Sequence, residues 1–143
     1  MLIKAERKRI RILRKRLLEL NQEYFLDYGT NRGYFTEKGN YYYLFIDDIG
    51  YFAGYGMLRT FNRFNIPTLG MAIWKGHRKK GKGTQLLYEL INKAKKLGFR
   101  KIRLHTLKTL NISIHMYEKA GFKIINDDDK KISMELILIG EKK

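Results

Sequence analysis

The chain has 143 residues, 44% of them hydrophobic and 13% aromatic, which suits one domain, residues 1–143, with its own buried core. It has no cysteine, so disulfides and thiolate metal sites are excluded. The formal charge of +16 at pH 7 fits either a polyanionic partner (a nucleotide, a nucleic acid, an anionic membrane) or a lysine-rich composition carried on solvated faces.

No stretch nears the roughly 20 apolar residues of a membrane span. The start, MLIKAERKRIRIL, is charged throughout and lacks the apolar run of a secretory leader. A cytoplasmic protein with no membrane partner is the expectation. Local charge is more informative than the total. From Lys75 to Lys108 there are twelve Lys or Arg residues and one acid, Glu89.

Taken in order, Arg9, Ile10, Arg11 and Ile12 alternate charged and apolar, which predicts a short strand over Arg9–Leu13. From Leu13 the spacing becomes helical through Leu17, Leu20 and Tyr24, with Leu18 and Phe25 alongside, to about Asp27. A single helix from Ala5 is the rival reading, since Arg and Lys are good helix formers. The basic run Lys4 to Arg16 reads as the solvated face of these elements, with nucleic-acid contact as the alternative. Tyr28 to Asn40 has three glycines and no sustained period, so it reads as a loop, either a surface connection or part of a substrate mouth.

Tyr41–Asp47, the turn Asp48-Ile49-Gly50 and Tyr51–Thr60 read as a hairpin. Gly54 and Gly56 share one face of its second strand and permit close approach by a packed helix or a ligand, packing being favoured. Phe61 to Asn65 turns the chain into a strand over Ile66–Trp74, with Pro67 acceptable near its start. A glycine-containing basic turn follows. The helix after it carries Leu86, Leu87, Leu90, Ile91, Ala94 and Leu97 as one apolar stripe, stopped by Gly98. Lys101–Leu107 is a strand. Asn111–Ala120 is a short helix with Ile112, Met116, Tyr117 and Ala120 on one face and Gly121 after it. Phe122–Ile125 is a strand, Asn126 to Asp129 a turn, and Lys131–Ile139 a final alternating strand before a frayed tail. Hairpins leading into a β–α–β unit imply an α/β or α+β mixed sheet with helices on its faces.

The glycine turn is the first candidate site. Arg78-Lys79-Lys80-Gly81-Lys82-Gly83-Thr84 enters a helix with two glycines where the backbone must come close. Backbone N–H groups and the positive end of the helix dipole can be aimed at an anion there. The spacing is neither the dinucleotide fingerprint nor a nucleoside-triphosphate loop. A pyrophosphate fits, with Lys82 adding charge.

The run LGMAIW–KGHRKKGKGTQLL resembles the cofactor motif of the GNAT superfamily of N-acetyltransferases, a strand followed by Gln/Arg-x-x-Gly-x-Gly/Ala. The later run ISIHMYEKAGF is similar to that family's next helix and strand, matching at Ser113, Ile114, Met116, Tyr117, Glu118, Lys119, Gly121 and Phe122. The likeness covers about Leu69 to Phe122. It implies a mostly antiparallel central sheet flanked by helices, with the strand before the glycine turn splayed from its neighbour. It also implies acetyl-CoA as co-substrate and transfer of its acetyl group to an amine: an amino sugar, a small amine or a protein amine. Met71, Ala72 and Ile73 would line the gap, and the amides from Lys79 to Thr84 would take the pyrophosphate. Arg78 would position the loop.

Such a transfer needs a base for the attacking amine, a donor for the oxyanion near Ala72 or Ile73, and an acid for the departing thiolate. Tyr117 occupies the family position for that acid, against a reading as an ordinary core aromatic. His105, twelve residues earlier on the strand entering the cleft, is the candidate base, against a reading as a satisfied strand histidine. His77 and His115 are weaker candidates, and Glu23 and Glu37 are acids with no fixed position. The family often has Asn seven residues before its Tyr. Here that residue is Leu110, and Asn111 follows, so Asn111 takes over the cofactor contact only if the helix starts one residue late. The alternatives to an enzyme are a basic nucleic-acid-binding domain and a CoA-binding, non-catalytic member of the fold. Neither the acceptor nor the oligomeric state follows from the residues, a homodimer being one option.

Overall fold

The computed structural model describes residues 1–24, 39–60, 66–78 and 81–138. The expected loop up to residue 38, the turn at 61–65, Lys79, Lys80, Glu37, Phe25 and the tail lie outside the described residues, as does the side chain of Glu23.

The elements run β1 (Leu2–Lys4), α1 (Lys8–Tyr24), β2 (Asn40–Ile46), β3 (Phe52–Thr60), β4 (Pro67–Ile73), α2 (Lys82–Lys96), β5 (Lys101–Leu107), α3 (Asn111–Lys119), β6 (Lys123–Asp127) and β7 (Lys131–Ile137). The strands form one sheet in the order β1-β2-β3-β4-β5-β7-β6. Every neighbouring pair is antiparallel except β4 and β5. The expected mixed, mostly antiparallel sheet is therefore present.

The N-terminus corrects the sequence reading. Arg9 to Leu13 is helical, and the strand lies earlier, pairing Leu2 with Phe45 and Lys4 with Tyr43. The Arg-Ile-Arg-Ile alternation involves two apolar residues only, and as a helix it leaves Ile12 49% exposed. Long-range burial outweighs that local pattern. Leu13, Leu17 and Leu20 pack on Tyr42, Leu44, Tyr55, Met57 and Trp74 in one core cluster. Arg7, with φ 53, breaks the chain between β1 and α1.

α2 and α3 cover the opposite face. Leu86, Leu87, Leu90, Ile91 and Ala94 of α2 join Phe45, Leu58, Leu69, Ile102, Leu104, Tyr117 and Met134 in the larger core. The helix comes close because Gly56 of β3 has no side chain. A Cβ there would lie 2.6 Å from Leu90 Cδ2. Gly56 thus serves packing, as expected. Gly54 is needed for a different reason, since its Cβ would lie 2.3 Å from the carbonyl oxygen of Ala72 on β4.

Smaller departures follow from burial. Leu97, expected in the α2 stripe, is 39% exposed as the C-cap, with Gly98 left-handed after it. Ile112, expected on the inner face of α3, is 89% exposed, and Tyr117 is the buried residue of that helix. β6 continues to Asp127, so the acidic turn starts later than its composition suggests. There Asp128 Oδ1 accepts the N–H groups of Lys130 and Lys131. No helix among the described residues is long and apolar enough to cross a membrane.

Candidate active site

The sheet is interrupted near its middle. β4 and β5 run parallel and are joined by one residue pair, Thr68 with Arg103. Past that pair, β4 stays bonded to β3 as far as Ile73, and β5 stays bonded to β7 as far as Leu107. The two strands therefore part toward their C-terminal ends, where α/β folds place their ligands. Met71, Ala72 and Ile73 lie on the β4 side of the opening. The N-terminus of α2 and one face of α3 close on the same place. A Cβ on Gly83 would lie 3.5 Å from Met116 Sδ and 4.0 Å from Met71 Cε.

Gly81 ends the turn in the left-handed conformation, φ 75, with open space where a Cβ would stand. As the N-cap of α2 it supplies no side-chain hydrogen bond, and no acidic residue occupies the first turn. The first-turn amides of Lys82, Gly83 and Thr84 are therefore not capped by a side chain of the N-cap residue, and the helix's own first turn carries no carboxylate. Gln85 N–H is the first to bond back, to Gly81 O at 2.9 Å.

The two described cations of the turn each donate to an acceptor of the protein itself. Arg78 Nε donates to Ile73 O at 2.7 Å, tying the loop to the last residue of β4. Lys82 Nζ donates to Asp47 Oδ2 at 2.9 Å. Sequence reasoning treated Asp47 only as the end of a strand. In the structure it is a buried acid at the hairpin turn, and its Oδ1 accepts the N–H groups of Ile49, Gly50 and Tyr51. Lys82 and, after it, the Tyr51 amide lower its pKa to about 2, against the opposing effect of burial. Lys82 and Asp47 lie 35 positions apart, so no local pattern pairs them.

Tyr117 is 9% exposed and sits edge-on to Phe122 at 5.9 Å between ring centroids. It shares the larger core with Ile102 and Leu104 of β5. His105 lies between inward-facing Leu104 and Thr106, so it projects from the other face of the sheet. It is exposed, and its Nδ1 is 2.7 Å from Ser133 Oγ on β7. The structure thus brings Tyr117 together with the α2 turn and β4, and it sets His105 across the sheet from them. α3 begins at Asn111 with Leu110 as its uncapped N-cap residue. His77 packs beside Tyr51 at 6.0 Å. Among the described residues no group of His, Asp or Glu could hold a metal ion.

A β–α–β unit whose parallel strands part beside an uncapped helix N-terminus is the architecture of an acyltransferase fold. Residues 8–122 match the model of the acetyltransferase (GNAT) family, and the chain belongs to that family. It is 31% identical over 90 residues to YvbK, an uncharacterized N-acetyltransferase of Bacillus subtilis (strain 168). That match covers 63% of this chain and 57% of the relative, so the chain spans little more than half of that protein's length. Among solved structures, a proposed phosphinothricin N-acetyltransferase superposes with a TM-score of 0.81 at 18% identity, covering 98% of this chain and 99% of the other. The spermidine N-acetyltransferase of Vibrio cholerae, in complex with CoA and spermine, gives 0.74 at 16% identity, covering 96% and 95%. These two likenesses are likenesses of fold.

Proposed function

We propose that the protein is an acetyl-CoA-dependent N-acetyltransferase acting on an amine acceptor. One observation carries the reading: β4 and β5 part beside a helix N-terminus that has neither a cap nor an acidic residue. The opening suits an extended arm, and the first-turn amides suit a pyrophosphate. Met71, Ala72 and Ile73 would line the arm. The amides through Gly81, Lys82, Gly83 and Thr84, with Lys79 and Lys80, would meet the phosphates. Asn111, the first residue of α3, would contribute a cofactor contact from that helix.

The acceptor amine gives up a proton to become a nucleophile, and its nitrogen bonds to the thioester carbonyl carbon. An amide N–H near Ala72 or Ile73 stabilises the oxyanion. The carbon–sulfur bond then breaks as Tyr117 protonates the departing thiolate, and the nitrogen's second proton restores the Tyr117 phenol, giving an amide and free CoA. His105 is the candidate proton acceptor. Lying on the sheet face opposite Tyr117, it can receive a proton on the side away from the thiolate, and Ser133 holds its Nδ1.

An acceptor approaching this chain meets a formal net charge of +16. This surplus of cations favours an amine that also bears an acidic group. The spermine bound by the Vibrio cholerae protein marks polyamines as the competing class.

Thermal unfolding with CoA or acetyl-CoA is the first test. At about one hundred times Kd, a ligand binding only the folded state stabilises by roughly 2.7 kcal/mol. Absence of any shift at millimolar ligand would overturn the reading. A panel of acidic amines and polyamines, assayed for CoA release, then identifies the acceptor class.

A further inference from the structure

Lys82 stands between the two glycines of the turn, where a cation is expected to face phosphate. Its ammonium is instead 2.9 Å from Asp47, whose side chain is 2% exposed against 23% for the lysine's. The other carboxylate oxygen takes three amides of the hairpin turn, from Ile49, Gly50 and Tyr51, at 3.1, 3.0 and 2.9 Å. One helical turn further along α2, Gln85 Nε2 lies 3.4 Å from Asp48 Oδ1 and 3.0 Å from Glu89 Oε2. The β2–β3 turn therefore meets α2 at two positions three residues apart.

We infer that Asp47 is a positioning residue for the cofactor turn, fixing the first turn of α2 through Lys82, whose charge is balanced inside the protein and not offered to phosphate. This assignment rests on the acetyl-CoA reading above. The physical argument is one of alternatives. For Lys82 to reach a phosphate, its ammonium must leave a buried carboxylate to neutral donors alone, and breaking a buried pair costs far more than an exposed one. Amide N–H groups held in fixed directions lose nothing of the kind when they meet the anion. The turn thus works through its backbone, and the side chain between its glycines serves to aim that backbone.

The test is CoA affinity, measured by calorimetry at several salt concentrations for the wild type, Asp47→Asn, Lys82→Met, Lys82→Arg and the Asp47→Asn/Lys82→Met pair, each checked for its melting temperature. Asn keeps an oxygen for the three amides, so Asp47→Asn tests the ion pair with the turn retained. The expected result is that Asp47→Asn and Lys82→Met each weaken CoA about tenfold, and the double variant is no worse than the weaker single. Lys82→Arg recovers most of the affinity, and the salt dependence of Lys82→Met matches the wild type. A flatter salt dependence in Lys82→Met, with Asp47→Asn binding as tightly as the wild type or tighter, makes Lys82 a phosphate ligand and overturns the assignment. If a substitution prevents folding, the wild type decides by NMR titration of the Asp47 carboxyl. It should stay depressed when CoA is bound, and a rise on binding overturns the assignment. A wild type that binds no CoA removes the parent reading and this one together, an outcome distinct from binding with Lys82 on the phosphates.

Discussion

Gly56→Ala tests how closely α2 is pressed onto the sheet. The added methyl would lie 2.6 Å and 2.7 Å from the two terminal carbons of Leu90 and 3.0 Å from its Cγ. Leu90 is fully buried, so it has no open side to turn toward. Either its rotamer leaves its minimum or the helix lifts. Overpacking of this kind costs about 1–3 kcal/mol. At this chain length that corresponds to a fall in Tm of roughly 3–10 °C. Denaturant unfolding followed by circular dichroism measures it directly. The control is Leu90→Ala, which alone costs about 2–5 kcal/mol. Combined with Gly56→Ala it should cost less than the sum by about 1 kcal/mol, because the methyl enters the space the leucine vacates. Gly56→Ala within about 0.5 kcal/mol of the wild type, or strict additivity of the pair, would refute the packing argument. Gly54→Ala should be worse and beyond rescue by any side-chain deletion, since its methyl meets backbone.

Tyr117→Phe keeps the ring against Phe122 and should lower turnover by roughly 10²–10⁴ with CoA affinity unchanged; an unchanged turnover, with chemistry rate-limiting, would remove the phenol from the mechanism. His105→Gln should likewise lower turnover by about 10²–10⁴ while leaving CoA affinity alone, and an equal loss of affinity would mark a structural role instead. The Asp47 carboxyl, held at about 2, lies below the ordinary carboxylate value of about 3.9, so its ion pair contributes fully above that value and is lost as pH falls toward 2. Urea unfolding should therefore show the wild type's advantage over Asp47→Asn shrinking between pH 4 and pH 2, whereas a constant gap would contradict the assignment.

The parts of this molecule that were legible in its sequence are those whose cause is local. β5 was bounded at both ends because alternation and flanking turns coincide there. Gly98 and Gly121 read as helix stops, and both are left-handed. Pro67 stands as the first residue of β4, the one interior-strand position where a missing N–H does little harm. The misread parts have distant causes. Arg9 to Ile12 alternates like a strand, but the three leucines after it must cover Tyr42 and Tyr55, which come later in the chain. Ile112 has helical spacing with Met116 yet points outward at the start of α3, while Ile114, Met116 and Tyr117 pack on the core. The Asp47–Lys82 pair joins a hairpin turn to a helix start, and neither residue is unusual for its own place. The resemblance around Gly81 and Tyr117 rests on two local motifs, whereas no motif in the sequence marks the acceptor.

The break between β4 and β5 also bears on how the molecule holds together. The strands β1 to β4 pair as a continuous antiparallel group on one side, and β5, β7 and β6 form a second on the other. One backbone pair and the side chains beneath α2 connect the two. Each half is closed by its own antiparallel pairings. Cooperativity between the halves must travel through the apolar seat of α2 and not through the hydrogen-bonded ladder. That seat is one buried cluster in which Phe45, Leu58 and Leu69 of the first group meet Ile102, Leu104 and Met134 of the second.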